Sequence, residues 1–87
     1  MSAVRINIYE MNNGKTIIRN YNEDKFYTLD GKVTNWNDKI GYNGVSEFQL
    51  STSVFHDLMY ELLYKFPFTL ESTYADVCNY FTVLNIK

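Results

Sequence analysis

Three dipeptides, Asn13-Gly14, Asp30-Gly31 and Asn43-Gly44, punctuate the first half of the chain, and each separates short segments rich in β-branched and aromatic residues. Such dipeptides supply the positive φ angles of a two-residue type I′ hairpin turn, so the pattern predicts antiparallel strands joined by tight turns. The segments are Val4 to Met11, Lys15 to Tyr21, Lys25 to Leu29, Lys32 to Trp36, Lys39 to Tyr42 and Val45 to Leu50. They read as a meander of four to six short strands over residues 3–50. A turn centred on Asn13-Gly14 pairs Ile8 with Arg19 and Ile6 with Tyr21. It sets Val4, Ile6, Ile8, Ile17 and Tyr21 on the expected core face, with Arg5, Asn7, Tyr9, Thr16, Ile18 and Asn20 opposite. Around Asp30-Gly31, Phe26, Thr28 and Val33 share one face and Tyr27, Leu29, Lys32 and Trp36 the other, and the pattern does not choose which is inside.

The period changes at Ser51. Val54, Phe55, Leu58, Met59, Leu62, Leu63 and Phe66 recur at spacings of three and four, which confines them to one stripe of a helix over residues 51–66. Ser51, Thr52 or Ser53 can cap its first turn, and Pro67 disfavours helical geometry at Phe66. Glu61 and Lys65 stand four apart, a pair worth about 0.2–0.5 kcal/mol. Beyond Pro67 the positions Leu70, Tyr74, Val77, Phe81 and Leu84 fit a second helix over 69–81. Strands first and helices second predict an α+β fold, an N-terminal antiparallel meander with a C-terminal pair of helices packed on one face.

With 87 residues and a mass of 10.3 kDa the chain suffices for one domain with one core. A hydrophobic fraction of 46% and a charged fraction of 21% are those of a folded globular protein. The net charge of -2 comes without a basic run, which argues against general binding to a phosphate backbone. Acidic residues prevail in the C-terminal part, where Asp57, Glu61, Glu71 and Asp76 face only Lys65 and Lys87. The opening residues 1–7 lack a basic start followed by an apolar stretch, and no apolar run approaches the ~20 residues of a membrane span. The expectation is a cytoplasmic protein with no membrane association.

Reactive constellations are sparse. His56 and Cys78 are the single histidine and the single cysteine, too few for a transition-metal site, and the four glycines form neither a P-loop nor a dinucleotide fingerprint. No cofactor is implied. His56 flanks the polar side of the first helix, where an exposed histidine is expected, and Cys78 reads as a small apolar filler without an identified base. Glu23 and Asp24 adjoin in a turn, where solvated charge is the simpler reading. A non-enzymatic protein is therefore expected.

The composition does carry one positive signal, eight tyrosines in 87 residues. Tyrosine joins a large apolar area to a hydroxyl and loses little rotamer freedom, which suits recognition surfaces. On the first helix Tyr60 and Tyr64 fall opposite the apolar stripe, beside His56, Asp57 and Glu61. Unless the second helix packs against them, these five form an aromatic centre with a polar rim, the composition of a protein-binding site. Tyr21 and Tyr74 are assigned to the core or its edge, and Tyr9, Tyr27 and Tyr42 to strands of undetermined face. A second reading takes Arg5, Tyr9, Arg19, Lys25, Tyr27 and Trp36 as strand aromatics interleaved with cations, able to stack single-stranded bases. In size, composition and lack of motifs the chain resembles the small inhibitors encoded by phages and mobile elements, anti-CRISPR proteins among them. That resemblance, which rests on size and composition, implies steric blocking or misassembly of a host enzyme or nucleic-acid-processing complex in the host cytoplasm. Monomer and homodimer are both open, the latter through an edge strand of the Asp30-Gly31 hairpin.

Overall fold

A computed structural model describes residues 3–51, 53–54 and 68–86. Five strands, β1 (Ala3–Met11), β2 (Thr16–Asn20), β3 (Lys25–Tyr27), β4 (Val33–Thr34) and β5 (Tyr42–Ser51), form one antiparallel sheet in the spatial order β4-β3-β2-β1-β5. β1 to β4 are a meander. The chain then returns to place β5 along the free side of β1, and the helix α1 (Tyr74–Ile86) packs against β5 and β1. The fold is α+β as expected, with one sheet-covering helix among the described residues where a pair was expected.

Two hairpins differ in register by one residue from the sequence expectation, and both for the same reason. Ile8 pairs with Ile18 and Ile6 with Asn20. A type I′ turn needs positive φ at both central residues, yet Asn13 does not adopt it, while Gly14 does at +86°. The Gly14 amide donates to the Met11 carbonyl at 2.9 Å, and the Met11 amide to the Lys15 carbonyl at 2.8 Å. This is a type I turn closed by a left-handed glycine, with one more loop residue than a type I′ hairpin has. The Asn13 Oδ1 accepts the Lys15 amide at 3.0 Å, which favours this geometry. Asp30-Gly31 repeats the device. Gly31 has φ +83°, its amide donates to the Thr28 carbonyl at 3.0 Å, and Tyr27 pairs with Val33.

Because side chains alternate with period two, a one-residue slip turns a whole strand over. Ile18 therefore enters the core, while Ile17 and Tyr21 move to the opposite face. Val33 shares a face with Tyr27 rather than with Phe26. The third dipeptide is no turn. Gly44 lies inside β5 opposite Glu10, and Asn43 is the extra residue at an irregularity between Glu10 and Met11, so the two strands expected over 39–50 are one strand of 10 residues. The turn precedes it, with the Ile40 amide donating to the Asn37 carbonyl at 3.2 Å.

Val77 and Phe81 of α1, with Phe68 ahead of it, close over Ile6, Ile8, Ile18, Tyr27, Leu29 and Leu50 to form the core. Phe81 stacks on Phe48 at 5.8 Å between ring centroids. The helix begins and ends about five residues later than predicted. Thr73 and Asp76 form a reciprocal capping box: the Thr73 Oγ1 accepts the Asp76 amide at 3.1 Å and the Asp76 Oδ2 accepts the Thr73 amide at 3.2 Å. Residues 69–72 make a turn instead, in which the Ser72 amide donates to the Thr69 carbonyl, and Leu70 is left 65% exposed. Past Phe81, Thr82 satisfies its hydroxyl on the Cys78 carbonyl at 2.8 Å and Leu84 packs on the core, so the helix continues to Ile86.

The helix expected over 51–66 lies outside the described residues except at its start. Ser53 and Val54 are helical, and the Ser51 Oγ accepts the Val54 amide at 3.3 Å, the capping contact predicted for this cluster.

Candidate functional site

The sheet face turned away from α1 is set by the observed register. β1 contributes Arg5, Asn7 and Tyr9 to it, β2 Ile17 and Arg19, β3 Phe26, β4 Thr34, and β5 Val45, Glu47 and Gln49. The connection from β4 to β5 lays Trp36 on this face, where its ring meets Tyr9 at 4.9 Å, Phe26 at 5.3 Å and Tyr42 at 5.8 Å. Tyr9 also meets Tyr42 edge-on at 5.0 Å. Edge-to-face pairs of this kind are worth about 0.5–1.5 kcal/mol each beyond their buried area.

Arg19 links the aromatic group to Tyr21. Its guanidinium lies 5.2 Å from the Phe26 ring centroid and 4.9 Å from that of Tyr21, and its Nη1 donates to the Tyr9 hydroxyl at 3.3 Å. Arg5 also stands over Tyr21 at 4.9 Å. Both cations carry carboxylate partners: Arg19 donates to Asp24 at 2.6 and 3.1 Å, and Arg5 approaches Glu47 at 3.4 Å. The bond to Asp24, against a smaller opposing effect of burial, raises the pKa of Arg19 further above its ordinary value. Asp24 reaches this position from a left-handed backbone, φ 55°, in the turn between β2 and β3.

Open depressions flank the linked arginines. One of about 400 Å³ is lined by Tyr9, Arg19, Asp24, Phe26, Trp36 and Tyr42, and another of about 410 Å³ by Ala3, Arg5, Tyr21, Asn22 and Gln49. Two tyrosines on this face remain open to solvent, Tyr21 at 46% and Tyr42 at 49%. The result is an aromatic and guanidinium surface with its charges balanced from within. Comparison with protein-family models, curated proteins and solved structures finds no match.

Of the six residues proposed from sequence to stack bases, Arg5, Tyr9, Arg19 and Trp36 share this face. Lys25 and Tyr27 alternate to the other, where Tyr27 joins the core and burial raises its hydroxyl pKa. The patch of Tyr60, Tyr64, His56, Asp57 and Glu61 lies outside the described residues. Tyr21, read as a core residue, is instead the centre of the arginine pair; the register slip hid it. Tyr74 does pack on the core, its hydroxyl 2.6 Å from the Ser46 Oγ and its pKa raised first by burial, while Cys78 is half-buried beside it. Among the described residues no group of three His, Cys, Asp or Glu side chains gathers to hold a metal ion, and no helix is long and apolar enough to cross a membrane.

At the centre of the face Asn7 is 7% exposed, and its Oδ1 is buried without a hydrogen-bond partner. An unsatisfied buried amide oxygen costs about 1–3 kcal/mol. Asn7→Val, which removes that acceptor and suits a strand, is expected to raise stability by about 1–2 kcal/mol in urea titration. A loss of stability would mean that the side-chain amide contributes more than its unpaired oxygen costs.

Proposed function

We propose that this chain is a non-enzymatic protein-binding module whose contact surface is the sheet face of Tyr42, Trp36, Phe26, Arg19, Tyr21 and Arg5. The observation that carries the reading is the internal balance of that face. Tryptophan, tyrosine and arginine are the residues enriched at binding hot spots, and here they cluster around open depressions on a rigid sheet. A single-stranded nucleic acid would need ring faces free for bases and cations free for phosphates. Here the Trp36 ring is engaged by Tyr9, Phe26 and Tyr42, the Tyr21 ring lies under two guanidinium groups, and Arg5 and Arg19 each hold a carboxylate.

A face without a reactive group acts by occupancy. That agrees with the blocking role of small inhibitors encoded by phages and mobile elements, directed at a host enzyme or nucleic-acid-processing complex in the cytoplasm. The Tyr60 and Tyr64 patch belongs to the same proposal as a second contact. The experiment is affinity capture from the native host after nuclease treatment, with Tyr21→Ala/Tyr42→Ala and Tyr60→Ala/Tyr64→Ala proteins in parallel. A protein retained by the wild type and lost by the first variant is the expected result. Retention by that variant while folded would reject the sheet face, and loss by the second alone would move the site to the helix. Titration with single-stranded oligonucleotides at low salt should leave Trp36 fluorescence unchanged; salt-sensitive quenching would favour the nucleic-acid reading.

A further inference from the structure

The terminal strands of the sheet are unlike each other. β4 spans 2 residues, whereas β5 spans 10 and has no described strand on its outer side. Long edges are normally guarded by lysine, proline, bulges or unpaired charge. From Gly44 to Ser51, β5 has no lysine or proline and pairs regularly with β1, and its single charge, Glu47, is engaged by Arg5 of its own sheet.

The direction of its free backbone groups follows from β1. The Tyr21 amide donates to the Arg5 carbonyl and the Met11 amide to the Lys15 carbonyl, so odd-numbered residues of β1 bond toward β2. By alternation Val4, Ile6, Ile8 and Glu10 bond toward their β5 partners Leu50, Phe48, Ser46 and Gly44. The amides and carbonyls of Val45, Glu47, Gln49 and Ser51 then point outward.

We infer that β5 pairs antiparallel with β5 of a second copy of this chain, about a two-fold axis at Phe48. A two-fold axis normal to the sheet keeps each side chain on its own face, so only registers that oppose residues of equal parity are possible. Centring on Glu47 would set that carboxylate against its own copy. Centring on Phe48 sets Glu47 against Gln49 of the second copy and Val45 against Ser51, all with outward backbone groups, and brings the two Phe48 rings together. Arg5, the β1 neighbour of Gln49, lies beside that contact and supplies the complementary charge. This edge borders the aromatic face and shares Arg5 with it, but the pairing is carried by the β5 backbone and does not depend on the function proposed for that face.

Sedimentation equilibrium from micromolar to millimolar protein tests the pairing. The wild type should approach about twice 10.3 kDa. Gln49→Pro removes an outward amide without touching the β1 ladder and should be monomeric with its sheet dichroism intact. Gln49→Glu opposes Glu47 of the second copy while gaining Arg5 within its own chain. It should fold as well as the wild type and raise the dimer Kd by about tenfold. A wild type that stays monomeric, including one that instead takes up an extended peptide, overturns the inference. So does a folded Gln49→Pro protein that remains dimeric, or a Gln49→Glu dimer as tight as the wild type.

Discussion

A protein carrying both Tyr21→Ala and Tyr42→Ala is expected to bind its partner about 30-fold more weakly or worse, the equivalent of losing about 2 kcal/mol or more at a hot spot. These two rings are chosen because they are the open ones, Tyr21 at 46% and Tyr42 at 49% exposure. Their folding role can be accounted for contact by contact. Tyr21 receives Arg5 and Arg19, contacts worth about 0.5–1 kcal/mol each at an exposed site, and Tyr42 meets Tyr9 and Trp36 edge-on. Removing both should cost about 2–5 kcal/mol of stability, from two cation–π contacts and two edge-to-face pairs, against the about 5–15 kcal/mol of a small domain. Calorimetric titration of the captured partner measures the affinity, with far-ultraviolet dichroism as the check on folding. Val83→Ala, on the solvent side of α1, is the control and should bind as the wild type does. Undiminished affinity in the folded double variant would remove the aromatic face as the contact surface.

Much of the fold is legible in the residue pattern, and the failures share one physical origin. The alternation of Val4, Ile6 and Ile8 marks the buried side of β1, and the spacing of Tyr74, Val77, Phe81 and Leu84 marks the buried side of α1. Neither depends on the details of a turn. The register of β2 and β4 does. Asn-Gly and Asp-Gly are compatible with a type I′ turn and with a type I turn followed by a left-handed glycine, and the choice rests on the φ of Asn13 and Asp30. Since that choice decides which face Tyr21 occupies, the pattern hides the candidate site: it groups Arg5, Tyr9, Arg19 and Trp36 with Lys25 and Tyr27, which alternate to the other face, and leaves Tyr21 out. The late start of α1 is a different omission. Thr73 and Asp76 stand three apart, a spacing visible in the sequence, but the apolar periodicity of Leu70 pointed to an earlier start.

Phe81→Ala should destabilise the fold by about 3–5 kcal/mol, because a phenylalanine lost from a closed core removes both its transfer free energy and the packing around the cavity. Phe81 is 0% exposed, stacked on Phe48 and within 6.4 Å of the Phe68 ring and 5.8 Å of the Tyr80 ring, at the joint between helix and sheet. Small domains have about 5–15 kcal/mol in all, so the loss consumes much of the margin. The effect reaches the other face. Ile6 and Ile8, under the helix, alternate along β1 with Asn7 and Tyr9 under the arginines and Trp36, so a helix that undocks loosens the strand that seats the aromatic cluster. Urea unfolding followed by helix dichroism and by Trp36 fluorescence reports the two faces separately. Coincident transitions, both moved to lower urea in Phe81→Ala, are expected of one cooperative unit. A helix signal lost well before that of Trp36 would mean that the aromatic face stands on the sheet alone, and that its binding should survive the variant.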